Sequence, residues 1–356
     1  MGWADASEVL QPGAGPMRAR YLPADPDRVM WGRLPCADDA PVAEVEDGEE
    51  LTIDTLSHEG LLADQGSDPL AFFGGHGVAP EAVLEDAVAL VARRSRDPED
   101  GPHVVTGPIA VRGAQPGELL AIDVVEAIPR VPYGVVSNRH GRGALPGEYP
   151  RGPETVSVFA RVEDGAGVIP LRAGSERAAR FPLAPFPGIL GVAAAGSERP
   201  HSVPPGPFGG NIDIRLLTPG STILLPVQVP DALAYVGDPH FAQGDGEVAL
   251  TALEASLRIT LRFRRIPADD PLAIVARAHG PLVETPEFLV PTGLDADLNE
   301  AMRKAVRAAI ALLREVYGMD DEHALAYLSA ATDFDVSQVV DLVCGVHARI
   351  RKGDFS

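Results

Sequence analysis

The sequence is poor in cysteine, in aromatic residues and in the short motifs of several enzyme classes. Its 356 residues include two cysteines, Cys36 and Cys344, too few for a disulfide framework or a zinc knuckle made of cysteine pairs. With two tryptophans and six tyrosines, it offers few residues for a sugar-binding surface of stacked rings. It contains no G-x-S-x-G, Walker A or G-x-G-x-x-G motif, so a serine-hydrolase elbow and a nucleotide-binding loop find no support.

Basic residues are also scarce, with 30 Lys and Arg against 51 Asp and Glu and a formal net charge of −21. Nucleic acids and anionic membranes attract clustered Lys and Arg, so we expect neither as a partner. No uncharged apolar run approaches the ~18 residues of a membrane-spanning helix. The N-terminus lacks the basic and apolar segments of a signal peptide. We therefore expect a soluble, cytoplasmic protein that binds a small neutral or cationic ligand.

Hydrophobic periodicity divides the chain into three parts. Residues 1–20 show no periodicity and predict a loose arm. Residues 21–265 contain short apolar runs separated by Gly and Pro, a pattern typical of β-strands, with one helix predicted near residues 80–94. Asp295–Tyr317 has apolar residues at helical spacing. We predict a mainly β fold, sandwich-like or barrel-like, with a smaller C-terminal α+β part over residues 266–356.

The densest group of polar candidates lies between Val203 and Glu247, in loops rich in Gly and Pro on either side of a short apolar run. Such loops on a β scaffold often hold functional residues. Carboxylate oxygen and imidazole nitrogen are the ligands that Zn²⁺ and similar ions use in catalytic sites. The alternative is that Asp and Asn cap turns in these loops. The candidates are Asn211, Asp213, Asp238, His240, Gln243, Asp245 and Glu247.

For three acidic or histidine residues outside this stretch, the predicted role depends on the direction in which the side chain points. Asp123 shares a strand face with apolar residues, where a carboxylate is costly unless it is paired or bound to a metal. It is a ligand candidate if that face is the inner one and a solvated residue if it is the outer one. Val248–Arg264 predicts a strand with Glu254 on its polar face, which argues against a catalytic role, although the run is long for one strand and a bend or break in its middle is the alternative. His58, followed by Glu59 in a polar loop, is either a ligand or a structural residue.

Several segments carry a family resemblance: GPHVVTGPIAVRGAQPGELL, PFPGILGVAAA, PPGPFGGNIDIRLLTPGSTILLPVQVP and, most specifically, GDPHFAQGDGE. They are similar to signature segments of the acetamidase/formamidase family, and the likeness covers about residues 20 to 352. Met30 is a departure, because a histidine is expected there. The resemblance implies a β-rich fold with an appended α/β part and hydrolysis of short amides to ammonia and the acid. It also implies a bound divalent metal, Zn²⁺, with Ca²⁺ as a possible second ion.

The resemblance also implies roles for individual residues. Asp213 and His240 look like metal ligands, and Asp123 lies where an acidic residue or histidine is expected. Glu247 looks like a ligand or the general base. In amide hydrolysis a metal-activated water needs a carboxylate that moves its proton to the leaving nitrogen. We assign Glu247 to that role.

Other residues complete this hypothesis. Asp238 is the alternate base, and Asn211 or Gln243 is expected to donate a hydrogen bond to the developing oxyanion. Further candidates for the site are His58, His103 and Asp245.

The sequence is also compatible with two other functions. The chain could be a non-catalytic β-sandwich that binds a small ligand or a structural metal such as Ca²⁺ through the same carboxylates. It could also be an amidase of this fold that acts on a different amide. A homo-oligomer, by default a dimer, is expected from the prevalence of symmetric oligomers.

Overall fold

The computed structural model describes residues 9–355. Within these residues the strands are β1 (Arg20–Leu22), β2 (Met30–Trp31), β3 (Ala43–Val45), β4 (Glu50–Asp54), β5 (Val104–Val111), β6 (Leu119–Pro129), β7 (Tyr133–Asn138), β8 (Val156–Glu163), β9 (Ala166–Pro170), β10 (Ala178–Pro182), β11 (Phe186–Gly191), β12 (Gly209–Asn211), β13 (Thr222–Pro226), β14 (Ala234–Ala242), β15 (Leu253–Glu254), β16 (Leu257–Ile266), β17 (Leu282–Glu284), β18 (Phe288–Asp295), β19 (Asp333–Gln338) and β20 (Cys344–Arg351). The α-helices are α1 (Pro69–Gly75), α2 (Glu85–Arg93), α3 (Pro271–His279), α4 (Leu298–Tyr317) and α5 (Asp321–Ala331).

The strands of the described residues form two sheets. The first has nine strands in the order β1-β4-β16-β6-β13-β17-β18-β20-β19. The second has eleven strands, of which eight follow the order β10-β9-β8-β7-β15-β14-β11-β12. Its remaining strands meet at β5, which pairs with β14, β2 and β3. Most neighbours are antiparallel, whereas β1 runs parallel to β4 and β3 runs parallel to β5.

The main core combines buried side chains of both sheets, from β4, β6, β13 and β16 of the first and β5, β11 and β14 of the second. Strand β6 is buried on both faces because successive side chains point to opposite sides. Leu120 and Ile122 belong to the main core, whereas Leu119 and Ala121 belong to a second core with α3 and α4. Each fully buried Leu or Ile contributes roughly 1.5–3 kcal/mol to folding, so this alternation fixes the orientation of the β6 side chains from Leu119 to Val124.

Helix α4 confirms the strongest helical prediction. It spans Leu298–Tyr317 rather than Asp295–Tyr317, because the side chain of Asp297 accepts a hydrogen bond from the Glu300 N–H and caps the first turn. It ends at Gly318, whose left-handed conformation (φ 67°) lets the chain leave the helix.

The predicted fold class is confirmed: the described residues are mainly β, and α3, α4 and α5 follow residue 266. Strands β17, β18, β19 and β20 extend the first sheet, and the division at residue 266 stays a prediction. Among the helices of residues 9–355, none has the length and apolar character needed to cross a membrane.

The N-terminal half differs from the prediction at the start of the helix near residue 85 and at the end of the arm. The helix predicted near residues 80–94 begins at Glu85, because Pro80–Ala82 form a 3-10 turn and Val83 and Leu84 are extended. Residues 1–8 of the predicted arm lie outside the described residues. Further along that arm, Leu10 is buried, and its carbonyl accepts a hydrogen bond from the Arg130 guanidinium.

Candidate active site

Strand β14 brings two of the predicted site residues to one face. Asp238 and His240 are two residues apart on β14, and their side chains approach each other although Asp238 leaves the extended conformation (φ 47°). His240 Nε2 lies 3.0 Å from Asp238 Oδ2. Both side chains are buried. The two predicted residues therefore form one hydrogen-bonded unit inside the protein.

A glycine on β11 allows Asp213 to approach the same unit. Strand β11 pairs with β12 on one side and β14 on the other, and Asp213 follows β12. A Cβ on Gly188 would stand 2.5 Å from His240 Cε1 and 2.6 Å from Asp213 Oδ1. Because glycine has no side chain, Asp213 Oδ1 reaches to 3.9 Å from His240 Nδ1.

Glu254 also belongs to the site, which corrects the expectation that it is a solvent-facing residue. The run Val248–Arg264 is broken in the middle: β15 pairs with β14 and β7 in the second sheet, whereas β16 pairs with β4 and β6 in the first. This crossing between sheets removes the single alternation on which the expectation depended. Glu254 pairs directly with His240 in the register, and its Oε1 lies 3.1 Å from His240 Nε2.

His58 and His103 enter from two further segments. His58 follows β4 in the loop, and its Nδ1 lies 3.4 Å from Asp238 Oδ1. His103 precedes β5, and its Nε2 lies 3.8 Å from the same oxygen. The neighbour of His58, Glu59, has its Oε1 3.4 Å from His58 Nε2. The structure therefore brings both histidines close to Asp238 and places Glu59 beside His58.

Three site residues have unusual backbone conformations. Asp213, Asp238 and Glu247 have φ values of 48°, 47° and 46°, in the left-handed region that residues other than glycine rarely adopt. Such conformations cost of order 1–3 kcal/mol each and cluster at functional sites. Here they turn the three carboxylates inward, since each is buried and each belongs to a group of side chains able to hold a metal ion.

The whole set, here called the acid–histidine cluster, combines six carboxyl groups with three imidazoles. Its members are Glu59, Asp213, Asp238, Glu247, Glu254, Asp341, His58, His103 and His240. All nine side chains are at least nine-tenths buried. Even three protonated imidazoles would leave an excess of negative charge if every carboxyl group were ionised. Arg139 reaches the edge of the cluster, where its Nη2 lies 3.8 Å from Glu59 Oε1.

A divalent cation fits this chemistry. Buried charges are normally paired or bound to a metal. Both oxygens of Asp213, Asp238 Oδ1, Glu59 Oε1 and Glu254 Oε2 have no hydrogen-bond partner within residues 9–355, although His58 lies 3.4 Å from Asp238 Oδ1 and from Glu59 Oε1. Possible donor sets are His58–His103–Asp238, Asp213–His240–Glu247 and Asp238–His240–Glu254, each with ligand atoms within 4.8 Å of one another. Mixed nitrogen and oxygen donors suit Zn²⁺.

Two of the histidines are oriented as metal-binding histidines usually are. His240 Nδ1 lies 3.1 Å from Gln243 Oε1, and His103 Nδ1 lies 3.0 Å from Ser202 Oγ. A hydrogen bond at Nδ1 fixes the ring and directs Nε2 inward. Gln243 also donates from Nε2 to the carbonyls of Asp213 and Ser337. Its amide is thus occupied, which corrects its expected role as oxyanion donor.

The pKa values of the acids depend on which neighbours they face. Burial, together with the charge of nearby carboxylates, raises the pKa of Asp213, Glu247 and Asp341 well above the usual range. Burial would also raise the pKa of Asp238, but His103 and His240 outweigh it and hold that pKa well below the usual value. Of the two carboxylates predicted as the base, Glu247 is therefore the more basic.

The imidazoles differ in the same way. Burial lowers the pKa of His103 to about 4, although Asp238 opposes this effect. Burial would lower the pKa of His58 as well, but the carboxylates of Asp238 and Glu59 raise it to about 10. Without a cation, His58 is protonated and His103 is neutral near pH 7. Since a metal binds only deprotonated imidazole, cation binding through His58 would release its proton.

Two predicted residues lie outside the cluster. Asp123 is on the β6 face of Leu119 and Ala121, away from the main core, and its carboxylate pairs with Arg264 at 2.7 Å and accepts from Thr222. Its metal role was therefore wrong. Asp245 points away as well, because its carboxylate pairs with Arg215 Nε at 2.8 Å.

Asn211 lies at the end of β12 next to the cluster. It is buried, and its Oδ1 has no hydrogen-bond partner among the described residues. Because Oδ1 is an acceptor, it does not bear on the expected role of Asn211 as an oxyanion donor, which stays a prediction.

Three members of the cluster, Glu59, Glu254 and Asp341, were not predicted from the sequence. Glu59 is adjacent to a candidate histidine, and the excessive length of Val248–Arg264 was the signal for the break that reorients Glu254. Asp341 lies in the apolar run VVDLV, where a carboxylate is costly unless it is paired or metal-bound. The cost argument applied to Asp123 would have found it.

Comparisons with known proteins agree with this picture. The sequence model of the Acetamidase/Formamidase family matches residues 193–350. A putative formamidase from Schizosaccharomyces pombe is 29% identical over 46% of this chain and 51% of its own length. A formamidase from Methylophilus methylotrophus is 26% identical over 67% of this chain and 74% of its own length. The chain therefore spans about half of the first relative and about three quarters of the second.

A solved structure extends the likeness to nearly the whole chain. The crystal structure of an acetamidase from Bacillus halodurans is 22% identical, with a TM-score of 0.72 over 94% of this chain and 98% of that chain. At this identity the likeness establishes the fold.

Proposed function

We propose that this chain, of which residues 193–350 match the acetamidase/formamidase family model, hydrolyses short amides such as formamide or acetamide to ammonia and the carboxylic acid. The observation that carries the proposal is the acid–histidine cluster, whose buried carboxylate oxygens lack partners within the described residues. A purely structural cluster of this kind would be costly. A cluster built to hold a divalent cation would be expected to leave these oxygens free.

The cluster offers donors for a divalent cation, most plainly His58, His103 and Asp238, with Asp213 and His240 beside them. When bound, such an ion supplies a Lewis acid that polarises a carbonyl and acidifies a water. The donor chemistry supports Zn²⁺ as this ion.

The chain's own residues have separate tasks in this proposal. Glu247 takes the proton of the attacking water and passes it to the amide nitrogen, because ammonia leaves only when its nitrogen is protonated. The raised pKa of Glu247 supports it over Asp238, whose pKa is held low by histidines. Asn211 is proposed to donate to the oxygen of the tetrahedral intermediate, since such donors stabilise developing negative charge. A cytoplasmic location and a homodimer also stay predictions from sequence.

Ammonia release from formamide and acetamide tests the reaction, before and after a chelator and with Zn²⁺ restored. We expect release that stops on chelation, before the protein unfolds, and returns with the ion. Loss of folding together with activity would instead indicate a structural ion. No release from either amide, in folded and metal-loaded protein, would refute the short-amide proposal.

The variant Glu247→Gln tests the base. Removing a general base typically lowers the rate by about 10²–10⁴-fold, and glutamine keeps the size of the side chain. Asp245→Asn is the matched control, because it lies in the same loop but pairs with Arg215. Near-normal turnover in Glu247→Gln would remove Glu247 from this role.

A further inference from the structure

A small cavity lies between helices α1 and α2 on one side and the acid–histidine cluster on the other. Phe73 of α1 and Ala87 of α2 line the first side, and Glu59 and Glu254 of the cluster line the second. About 20 Å³ of the cavity is open to the centre of a water-sized sphere. One water needs roughly 10–15 Å³ by this measure, so the cavity has room for one water or one methyl-sized group.

The helical side of the cavity is apolar. It is formed by buried side chains of the main core, which are Phe73, Val83, Leu84 and Val131. Tyr133 also lines the cavity, but its hydroxyl donates to the Ala82 carbonyl at 2.9 Å. Because that hydroxyl is already paired, this side of the cavity suits an apolar group.

The other side of the cavity adjoins the histidines of the cluster. Glu59 Oε1 lies 3.4 Å from His58 Nε2, and Glu254 Oε1 lies 3.1 Å from His240 Nε2. Within residues 9–355, Glu59 Oε1 and Glu254 Oε2 have no hydrogen-bond partner. A molecule with one small apolar group in the cavity would therefore bring its polar end to carboxylates that accept hydrogen bonds. The primary amide of a short acid has this form, with N–H donors next to a small alkyl group.

We propose that this cavity receives the acyl group of the amide and limits its length to about one carbon beyond the carbonyl carbon. Val83, Leu84 and Ala87 set the limit, because they form the wall that a longer chain would meet. This inference rests on the proposed function and narrows its substrate class to formamide and acetamide, with propionamide and butyramide disfavoured. One methylene more or less in an apolar pocket changes selectivity by about 10–200-fold.

The test changes the size of the cavity in Zn²⁺-loaded protein and measures kcat/KM for formamide, acetamide, propionamide and butyramide. In wild type we expect kcat/KM to fall at least about tenfold from acetamide to butyramide. Leu84→Ala enlarges the cavity and should raise the ratio of kcat/KM for butyramide to that for acetamide at least about tenfold. Ala87→Val fills the cavity and should lower the ratio for acetamide to formamide by a similar factor. A general disturbance of the fold would lower every value together and leave these ratios unchanged.

The matched control is Val88→Ala. Val88 is on the same helix as Ala87 and is half-buried, but it does not line the cavity, so its ratios should equal those of wild type. A melting curve shows whether each variant folds, and Val83→Ala replaces Leu84→Ala if the latter unfolds. An unchanged ratio in the folded enlarged variant or in Ala87→Val, or equal kcat/KM for every amide in wild type, would show that the cavity holds only a water and would overturn the proposal. If wild type releases ammonia from none of the amides, the proposed function is refuted, and this inference with it.

Discussion

Replacing Gly188 with alanine should damage the site without exposing any core residue. Gly188 lies on β11 between Asp213 and His240, and an added Cβ would stand 2.5 Å from His240 Cε1, 2.6 Å from Asp213 Oδ1 and 2.9 Å from the Asp238 carbonyl. Ordinary contacts between carbon atoms lie at about 3.5–4.0 Å. The side chain of Asp213, of His240 or of both must therefore move by roughly 1 Å, because a shift of this size is needed to restore a normal contact distance to the added Cβ.

The size of the effect follows from this displacement. Overpacking a well-filled interior typically costs about 1–3 kcal/mol, so the protein should stay folded. A misplacement of about 1 Å in a catalytic group can lower activity by roughly 100-fold. We therefore expect Gly188→Ala to lose about two orders of magnitude in kcat/KM for the amide and to bind Zn²⁺ more weakly.

The assay combines ammonia release, Zn²⁺ titration and urea unfolding. Gly244→Ala is the matched control, because Gly244 lies near the same site but a Cβ there would meet no atom within 4 Å. The control should match the wild type in all three measurements. Wild-type activity and Zn²⁺ affinity in Gly188→Ala would refute the claim that this close approach positions Asp213 and His240.

Two further predictions concern stability. Arg130 is fully buried and pairs with Asp86 at 2.8 Å. Because breaking a buried pair leaves a charge unpaired, Arg130→Met should lower the free energy of unfolding by about 3–5 kcal/mol. The control Arg303→Met breaks an exposed pair with Glu300 and should change the free energy of unfolding little. In chelated protein, burial lowers the pKa of His58, but the neighbouring carboxylates outweigh this effect and raise the pKa from 6.5 to about 10. The contribution of His58 to stability is therefore complete below pH 6.5 and is lost as the pH rises through about 10. Urea unfolding of wild type and His58→Gln across this range measures that contribution, and a difference that grows with pH would contradict the assignment.

Local patterns in the sequence predicted much of the fold. The alternation in β6 and the helical spacing of α4 depend on neighbouring residues, and both appear in the structure. The stretch Val203–Glu247 supplied four members of the cluster, Asp213, Asp238, His240 and Glu247, because their ligand chemistry and Gly-rich loops are visible in the chain itself.

The tertiary structure decided which distant residues joined these four. Glu254 depends on a strand that crosses between sheets, and Asp341 depends on a hairpin docked by backbone hydrogen bonds to Gly246. Asp123 satisfied the same chemical criterion as Asp213, but its strand face turns it toward Arg264. Residue type and local period are properties of the sequence, whereas the face, the sheet and the register that bring carboxylates together follow from packing across the whole chain.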